Sequence, residues 1–320
     1  MVSEQKSKIQ NSKSKISKKG RKKIAYSKED LERQPMLVLV CGETGVGKTY
    51  RNLIEIHRYM KDDTNNGRKG RKVLAFDVND DDYPQFKTVK VNLIQNLTAI
   101  NARRIRPISP QGMNMTIEEK RGVVEQMVNR FKNGLLVLED LDKYMVGAKG
   151  QTVVGLLTTN RHNGLDIMIS HQSVAKITTT EWQNCTWLRL HHQVDDISRY
   201  ETRIPNYFLV RIATFIVDEQ YDLANGAYAD GSISQNDYKK RKSFYVYVDM
   251  RRLRLRGVSR EAFIRAAKKY IDTHEAKKIK MMLQEMNMND TPKFKNRSQA
   301  VVHLITKYLR HHEEKPNTAF

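Results

Sequence analysis

The sequence predicts an α/β fold with a mainly parallel sheet covered by helices on both faces, and three observations support this. Short apolar runs such as Met36–Cys41 and Leu135–Leu138 suit strands that are buried on both faces. Amphipathic segments with a helical period follow several of these runs, beginning with Lys48–Met60. Strands that alternate with helices are typical of a parallel sheet, because a crossover between parallel strands is usually helical.

The elements of the first half follow from apolar runs and capping signals. Strands are predicted at 36–41, 72–77, 88–93 and 135–139, and helices at 48–60 and 116–132. Thr116 and Glu119 have the spacing of a capping box, which marks the start of the second helix. Residues 101–114 are predicted to be a loop that carries Arg103, Arg104 and Arg106.

The second half continues the alternation and then becomes helical. A helix is predicted at 151–162, and strands at 166–170, 186–190, 244–249 and 253–256. Helices at 260–272, 274–287 and 297–312 complete the chain. These elements divide the chain into a flexible basic arm (1–30), a core of alternating strands and helices (31–257) and a small helical appendage (258–320).

Composition limits the class of protein. The apolar runs are far shorter than the roughly 18 residues that a membrane-spanning helix needs, so no transmembrane segment is expected. Cys41 and Cys185 are the two cysteines, and they lack the spacing of a zinc site or a disulfide framework. We therefore expect a cytoplasmic protein.

The net charge of +21 favours a polyanionic partner. Residues 1–30 hold ten Lys or Arg against three acids, and the rest of the chain is basic as well. Release of condensed counterions would drive binding to nucleic acid. The alternative is a general bias towards solubility, which composition alone does not distinguish.

One segment fits the phosphate-binding pattern G-x-x-x-x-G-K-[ST] in full, between a predicted buried strand and a helix. Its residues are Gly42, Glu43, Thr44, Gly45, Val46, Gly47, Lys48 and Thr49. Glycines allow backbone N–H groups to turn towards phosphates, and the helix N-terminus adds positive partial charge. Lys48 is expected to reach the terminal phosphates, and the Thr49 hydroxyl to bind Mg²⁺. The segment predicts binding of ATP.

Two acids follow the apolar strand 135–138, where a Mg²⁺ site needs a carboxylate. We expect one of Glu139 and Asp140 to hold the metal and the other to polarise the attacking water. The alternative is a strand that simply ends in surface acids. The strand 166–170 ends at His171 and Gln172, and Gln172 is a candidate contact for the terminal phosphate or an ordinary strand-end amide.

The ordered set of these segments resembles the FtsK–HerA family of DNA-pumping ATPases, which includes viral genome-packaging ATPases. Three stretches are similar to the family beyond the phosphate loop. They are Val73–Tyr83, the acid pair Glu139-Asp140, and Arg161–Gln172, where Arg-x-x-Gly precedes an apolar strand and a terminal Gln. The match covers residues 36–192.

This resemblance implies a RecA-like core, a hexameric ring and a pore lined with double-stranded DNA. It also implies that Arg161 is an arginine finger directed at a neighbouring subunit's nucleotide and that Gln172 is a sensor. A surface charge is the alternative for Arg161. Members of the family have Asp before Glu, whereas here Glu139 precedes Asp140. That order would give Glu139 the metal position and Asp140 the water-activating position.

The C-terminal half contains two dense basic runs, Lys239–Lys242 and Arg251–Arg256. In a strand, Arg252, Arg254 and Arg256 would share a face and could follow a phosphate backbone. An edge strand charged against aggregation is the alternative. The helix that starts near Lys295 could bind DNA or dock a subunit, or simply pack against its neighbours.

We expect an ATP-driven motor that pumps double-stranded DNA, most simply during viral or phage genome packaging, with a portal or capsid component as a further partner. Two alternatives remain. One is a helicase or helicase loader that acts on single-stranded DNA. The other is a nucleotide-gated assembly protein that does not hydrolyse ATP, which the inverted Glu139-Asp140 pair would favour.

Overall fold

The computed structural model of the protein describes residues 35–63, 68–145, 155, 163–315 and 317–319. Nine strands are present in this part of the chain. They are β1 (Leu37–Cys41), β2 (Lys72–Phe76), β3 (Lys87–Thr88), β4 (Ala102–Ile105), β5 (Gly134–Leu138), β6 (Leu165–His171), β7 (Trp187–Leu190), β8 (Val246–Asp249) and β9 (Arg254–Arg256).

The α-helices of the same residues lie between and after these strands. They are α1 (Lys48–Met60), α2 (Ile117–Arg130), α3 (Thr179–Asn184), α4 (Tyr207–Ala229), α5 (Gln235–Lys242), α6 (Arg260–His274), α7 (Ala276–Gln284) and α8 (Arg297–Leu309). The capping box predicted at Thr116 and Glu119 is present at the start of α2. None of the described helices is long and apolar enough to cross a membrane.

The strands form one sheet in the order β3-β4-β2-β5-β6-β1-β7-β8-β9. Pairing is parallel from β3 through β7, and the last two strands add antiparallel pairs at one edge. One strand, β6, separates the strand before the phosphate loop from the strand before the acid pair. The predicted α/β class with a mainly parallel sheet is confirmed.

Helices cover both faces of the sheet, as the continuous apolar runs predict. Along β1, Leu37, Leu39 and Cys41 pack into one hydrophobic cluster, which also takes the apolar faces of α2, α4 and α6. Val38 and Val40 point into a second cluster, with Ile56 and Tyr59 of α1. A strand whose alternate residues enter two separate cores must be apolar throughout, which is why β1 reads as an unbroken run.

Two predictions for the segment between β2 and α2 are wrong. The predicted strand 88–93 is a two-residue strand, β3, followed by a 3-10 helix at Val91–Asn96. The predicted loop 101–114 contains β4. A search for apolar runs misses this strand because it contains the charged residue Arg104. Inside the fold that charge is neutralised, since Arg104 Nη1 lies 2.5 Å from the buried carboxylate of Asp77.

The hairpin of α4 and α5 was not predicted. Residues Phe208–Val217 carry an apolar segment that lies largely in the core, with Leu209, Val210 and Ile216 fully buried. Helix α5 buries none of its residues and is fixed at its end by Ser243. The Ser243 hydroxyl accepts a hydrogen bond from the Arg51 guanidinium of α1 at 3.0 Å. The hairpin thus brings a basic helix next to the phosphate loop.

The end of the chain returns to the core. The Asn317 side chain donates to the Tyr245 carbonyl at 2.7 Å, and the Tyr245 hydroxyl donates to the Asn317 carbonyl at 3.2 Å. The Thr318 hydroxyl donates to the buried carboxylate of Glu55 in α1 at 2.8 Å. These contacts join the last residues to the helix that follows the phosphate loop.

Candidate functional site

The phosphate-loop segment Gly42–Thr49 connects β1 to α1, as the sequence predicts. Gly45 and Gly47 adopt positive φ angles of 85° and 77°, a region that glycine enters without steric cost. The Lys48 ammonium donates hydrogen bonds to the carbonyls of Gly42 and Glu43 at 2.6 and 2.9 Å. Lys48 therefore closes the loop on itself and lies where it can exchange these carbonyls for phosphate oxygens.

Burial lowers the pKa of Lys48, while the nearby carboxylates Asp140 and Glu139 act in the opposite direction. An ammonium that is partly desolvated in this way interacts more strongly with an anion than one in water does. The two acids that raise its pKa are those of the predicted Mg²⁺ site. The pKa of Lys48 therefore depends both on its burial in the phosphate loop and on the acid pair after β5.

Helix α4 contacts the phosphate loop through the side chain of Glu43. The Tyr221 hydroxyl donates to Glu43 Oε1 at 3.0 Å. The Tyr221 ring stacks on His192 with centroids 3.7 Å apart, and His192 Nδ1 lies 3.0 Å from Asp218 Oδ1. None of these contacts could be predicted, because α4 itself was not predicted. They restrict the backbone of Glu43, whose carbonyl accepts from Lys48.

Glu139 lies directly after β5 and is 3% exposed. Its Oε1 accepts two hydrogen bonds, one from the Asn52 side chain at 2.5 Å and one from the Tyr83 hydroxyl. A buried carboxylate needs such donors, since removing a charge from water without partners costs several kcal/mol. With Oε1 held by two donors, the orientation of the Glu139 carboxylate is fixed.

The Asn52 amide is itself oriented by its neighbours. Its oxygen accepts from the guanidinium of Arg189, which is fully buried in β7. Its nitrogen also contacts the Ser170 hydroxyl at 3.2 Å. Because Arg189 has donors and no acceptors, the amide oxygen must face Arg189 and the amide nitrogen must face Glu139. A chain of hydrogen bonds thus runs from β7 through α1 to the acid at the end of β5.

Asp140 differs from Glu139 in backbone and environment. Its φ and ψ are both 45°, in the left-handed region that Asp tolerates better than most residues. The chain therefore turns sharply between the two acids. The Asp140 carboxylate lies 2.6 Å from the Lys143 ammonium, and its side chain is 15% exposed. Asp140 is thus the more accessible of the two acids.

The turn after β2 contributes further acids. Asp77 is fully buried and accepts from the backbone N–H groups of Asp82 and Tyr83, at 3.2 and 3.1 Å. This arrangement places the Tyr83 hydroxyl within hydrogen-bonding distance of Glu139. It also places Asp82 in the lining of the cavity that Glu139 faces. Burial raises the pKa of Asp82 to about 6, with Glu139 and Asp77 adding to the rise and a hydrogen bond from Asn79 opposing it.

A cavity of about 550 Å³ joins these groups. Its walls come from the loop, the turn after β2, the end of β5 and the end of β6. The lining residues are Thr44, Gly45, Gly47, Lys48, Thr49, Asn79, Asp81, Asp82, Glu139, Asp140, Lys143 and Gln172. The sequence-predicted residues Lys48, Thr49, Glu139, Asp140 and Gln172 therefore face one space, although the chain separates the first from the last by more than a hundred residues.

The donor set of this cavity suits Mg²⁺. The metal prefers oxygen ligands and is usually held in proteins by one or two carboxylates together with phosphate oxygens. The Thr49 hydroxyl and the carboxylates of Glu139 and Asp140 are oxygen donors on the same cavity. Apart from backbone dipoles, Lys48 and Lys143 supply the positive charge of its lining, as a polyphosphate requires.

His171, beside Gln172, is buried at the end of β6 between two acids. Its Nδ1 lies 3.1 Å from Asp142 Oδ2, and its Nε2 lies 3.3 Å from Glu181 Oε1. Burial lowers the pKa of His171, but the hydrogen bonds and charges of Asp142 and Glu181 together raise it above 6.5. Asp142 therefore connects the turn after β5 to the end of β6.

Other predicted residues lie elsewhere. Arg161 and most of the predicted helix 151–162 are outside the described residues. Arg252 is in the turn before β9 and so does not continue the row of Arg254 and Arg256. Arg256 lies 2.6 Å from Glu313, which neutralises its charge. The predicted three-residue basic row on one strand is therefore wrong.

Comparisons with known proteins identify fold neighbours at low identity. A scan against protein-family models finds no match, and a search of curated proteins finds no relative. The solved structures that match include the genome packaging NTPase B204 from Sulfolobus turreted icosahedral virus 2 in complex with AMPPCP. It is 12% identical, with a TM-score of 0.39, over 69% of this chain and 95% of B204.

Two further solved structures illustrate the range of neighbours. B204 from Sulfolobus turreted icosahedral virus, a DNA-packaging ATPase, is 13% identical with a TM-score of 0.36, over 70% of this chain and 97% of that one. The N-terminal domain of zonular occludens toxin from Neisseria meningitidis is 15% identical with a TM-score of 0.29, over 49% of this chain and 76% of that domain.

Proposed function

We propose that this protein is a Mg²⁺-dependent ATPase that uses its phosphate loop to bind ATP and the acids after β5 to hydrolyse it. One observation carries the proposal. Lys48 and Thr49, the acids Glu139 and Asp140, and Gln172 come from three separate strand ends and line a single cavity of about 550 Å³. Phosphoryl transfer needs this combination of cation, metal ligands and a polar group near the attacking water.

The geometry supports different roles for the two acids. Glu139 is buried and fixed by Asn52 and Tyr83, which suits a carboxylate that must hold a metal site in one position. Asp140 is more accessible and reaches Lys143, so its carboxylate is free of the buried network and can face water. We assign the metal position to Glu139 with Thr49, and the orientation of the attacking water to Asp140.

When bound, Mg²⁺ would neutralise charge on the terminal phosphates and on the acids. The residues of the chain perform the remaining tasks. Backbone N–H groups of Gly45–Thr49 and the start of α1 bind the phosphates, and Lys48 compensates the charge that develops as the terminal phosphate leaves. Gln172 lies on the same cavity and can donate to a phosphate oxygen or to the water.

We propose further that hydrolysis drives movement of double-stranded DNA, most simply in packaging of a viral or phage genome by a ring of six subunits. The net charge of +21 and the resemblance described above support DNA as the partner. Stimulation of ATP hydrolysis by duplex DNA tests this directly. Stimulation by single-stranded DNA alone would favour a helicase or helicase loader, and ATP binding without phosphate release would favour a nucleotide-gated assembly protein.

The role of Arg161 as an arginine finger is testable by mixing subunits. Arg161→Ala chains keep the phosphate loop, whereas Lys48→Ala chains keep the finger. If catalysis is shared between neighbouring subunits, mixtures of the two inactive variants recover part of the ATPase rate. No recovery at any mixing ratio would exclude a finger supplied across an interface.

A further inference from the structure

A second cavity, also about 550 Å³, adjoins the phosphate loop. It shares Gly45 and Gly47 with the first cavity, but otherwise has a different lining. Tyr50 of α1 forms one part of the wall, and the remainder comes from α5 and its C-cap. The lining residues contributed by α5 and its cap are Asn236, Lys239, Lys240, Lys242 and Ser243.

The order of groups in a nucleoside triphosphate indicates what this second cavity holds. The triphosphate is a linear chain with the nucleoside at one end. If the acids of the first cavity fix the terminal phosphate, the loop amides hold the middle of the chain. The nucleoside must then leave the loop on a side away from the acids. The second cavity borders the same glycines, and its lining contains no acid.

The position of Tyr50 suits a base. It follows Thr49 on the first turn of α1, and 57% of it is exposed, which is unusual for a large aromatic residue beside a cavity. The Arg51 guanidinium lies 5.5 Å from the centre of the Tyr50 ring. Arg51 is itself held by the Ser243 hydroxyl at 3.0 Å, so this wall is fixed to the end of α5.

The remaining side chains fit the same ligand. An aromatic ring stacks on any planar base, because every base has a π-face. The amide of Asn236 can both donate to and accept from a base edge. The lysines carry positive charge to the side of the loop where the inner phosphate joins the ribose. Part of the basic run Lys239–Lys242 therefore lines the cavity beside the loop.

We infer that the cavity between Tyr50 and α5 is the nucleoside subsite, with Tyr50 as the residue that stacks on the base. This inference rests on the proposed function, since it presupposes a triphosphate on the loop. It adds a residue that determines affinity for the nucleoside part alone. It also gives the α4–α5 hairpin a function, which is to supply one wall of the ATP site.

The test compares binding of ATP with binding of inorganic tripolyphosphate, both measured by calorimetry with Mg²⁺ on the full chain. Base–aromatic stacking corresponds to roughly a tenfold change in affinity, so Tyr50→Ala should weaken ATP binding by about tenfold. Affinity for tripolyphosphate should stay within about twofold, because this ligand has no base. Tyr50→Phe keeps the ring and should bind ATP like the wild type. Ile100→Ala, which removes an apolar side chain that is 50% exposed and lines neither cavity, is the control.

The outcomes separate this inference from the proposed function. If the wild type binds both ligands and Tyr50→Ala binds ATP as tightly as the wild type, the nucleoside subsite is overturned and the ATPase proposal stands. Equal weakening of ATP and tripolyphosphate would also overturn it, because the effect would then lie in the loop. If the wild type binds neither ligand, the proposed function fails and the subsite fails with it.

Discussion

The side chain of Asn52 donates a hydrogen bond to Glu139 Oε1 at 2.5 Å and thereby joins the helix after the phosphate loop to the acid after β5. The two residues are 87 positions apart in the chain. Arg189 on the other side of the amide fixes which atom of Asn52 faces the acid. A shift of α1 can therefore move the Glu139 carboxylate through the Asn52 side chain.

Replacing Asn52 should impair catalysis more than binding. Asn52→Ala leaves Oε1 of Glu139 with a single donor, and we expect the turnover number to fall by about 10- to 100-fold through misplacement of the carboxylate. The unmet groups of Glu139 and Arg189 should lower the free energy of unfolding by about 1–3 kcal/mol. ATP affinity should change little, since Asn52 does not line the cavity.

Steady-state kinetics and chemical denaturation of the same variant check this prediction. Asn184→Ala is a matched control, because the Asn184 side chain also donates a hydrogen bond, to the Thr180 carbonyl, but lines neither cavity. Turnover of Asn52→Ala within twofold of the wild type would contradict the positioning role.

Asp82 should destabilise the protein at neutral pH when no metal is bound. Its pKa in the folded chain is about 6, raised from 3.8 mainly by burial. The folded state therefore favours the protonated form, and the penalty is absent below pH 3.8, grows up to about pH 6 and is constant above. Asp82→Asn removes it, so the variant should be more stable than the wild type at pH 7.5, on the order of 1 kcal/mol after solvent screening.

Urea denaturation at pH 4.5 and pH 7.5 measures this difference. The gain in stability should be smaller at pH 4.5, where Asp82 of the folded wild type is mostly protonated. Asp81→Asn, an exposed neighbour on the same cavity, serves as the control and should show the smaller gain. A gain of equal size at both pH values would show that charge at Asp82 is not its cause.

His171 should stabilise the fold with the opposite dependence on pH. Its pKa is raised above 6.5, although burial acts against this, because Asp142 and Glu181 favour the charged ring. The stabilisation is then complete below about pH 6.5 and is lost as the pH rises through the folded-state pKa. His171→Gln should therefore be destabilised relative to the wild type by more at pH 6 than at pH 8.5.

Thermal unfolding of the wild type and of His171→Gln between pH 6 and pH 8.5 measures this difference in stability. His303→Gln changes an exposed histidine of α8 and controls for the general effect of losing an imidazole. A destabilisation of His171→Gln that does not depend on pH would mean that the ring acts through packing and not through its charge.

How far the sequence predicts this molecule depends on the range of the interactions. The strands before the loop and the acids, and the helix Lys48–Met60, are encoded in contiguous patterns, and the structure has them where predicted. Strand β4 is not, because its sequence contains Arg103 and Arg104. Its place in the sheet depends on Asp77, 27 residues earlier, whose carboxylate accepts a hydrogen bond from the Arg104 guanidinium.

The same distinction applies to the candidate site. The residues Lys48, Thr49, Glu139, Asp140 and Gln172 were identified from motif spacing, and all of them line the cavity. The groups that hold them belong to no local pattern. Tyr221 holds Glu43 from a helix that was not predicted, although the apolar run Phe208–Val217 was a signal for it. Arg189 is a charge in an otherwise apolar strand, and its hydrogen-bond acceptors, the Asn52 side chain and the Lys48 carbonyl, belong to α1.

The end of the chain should contribute to the stability of the core. Thr318 donates to Glu55, whose carboxylate is fully buried and whose pKa is raised mainly by burial. Thr318→Val keeps the shape and removes the donor, so the free energy of unfolding should fall by about 1 kcal/mol. Thr306→Val, which changes an exposed hydroxyl on α8, is the control. Equal stability of Thr318→Val and the wild type in urea would exclude this contribution.

The most direct test of the central claim is equilibrium binding of labelled ATP with Mg²⁺ to the wild type and to Lys48→Ala. The account predicts saturable binding by the wild type. Loss of the charge-assisted contact from Lys48 should weaken binding by about 10- to 100-fold. A wild type that retains no ATP, or a Lys48→Ala variant that binds it equally well, would contradict the assignment of Gly42–Thr49 as a phosphate-binding loop.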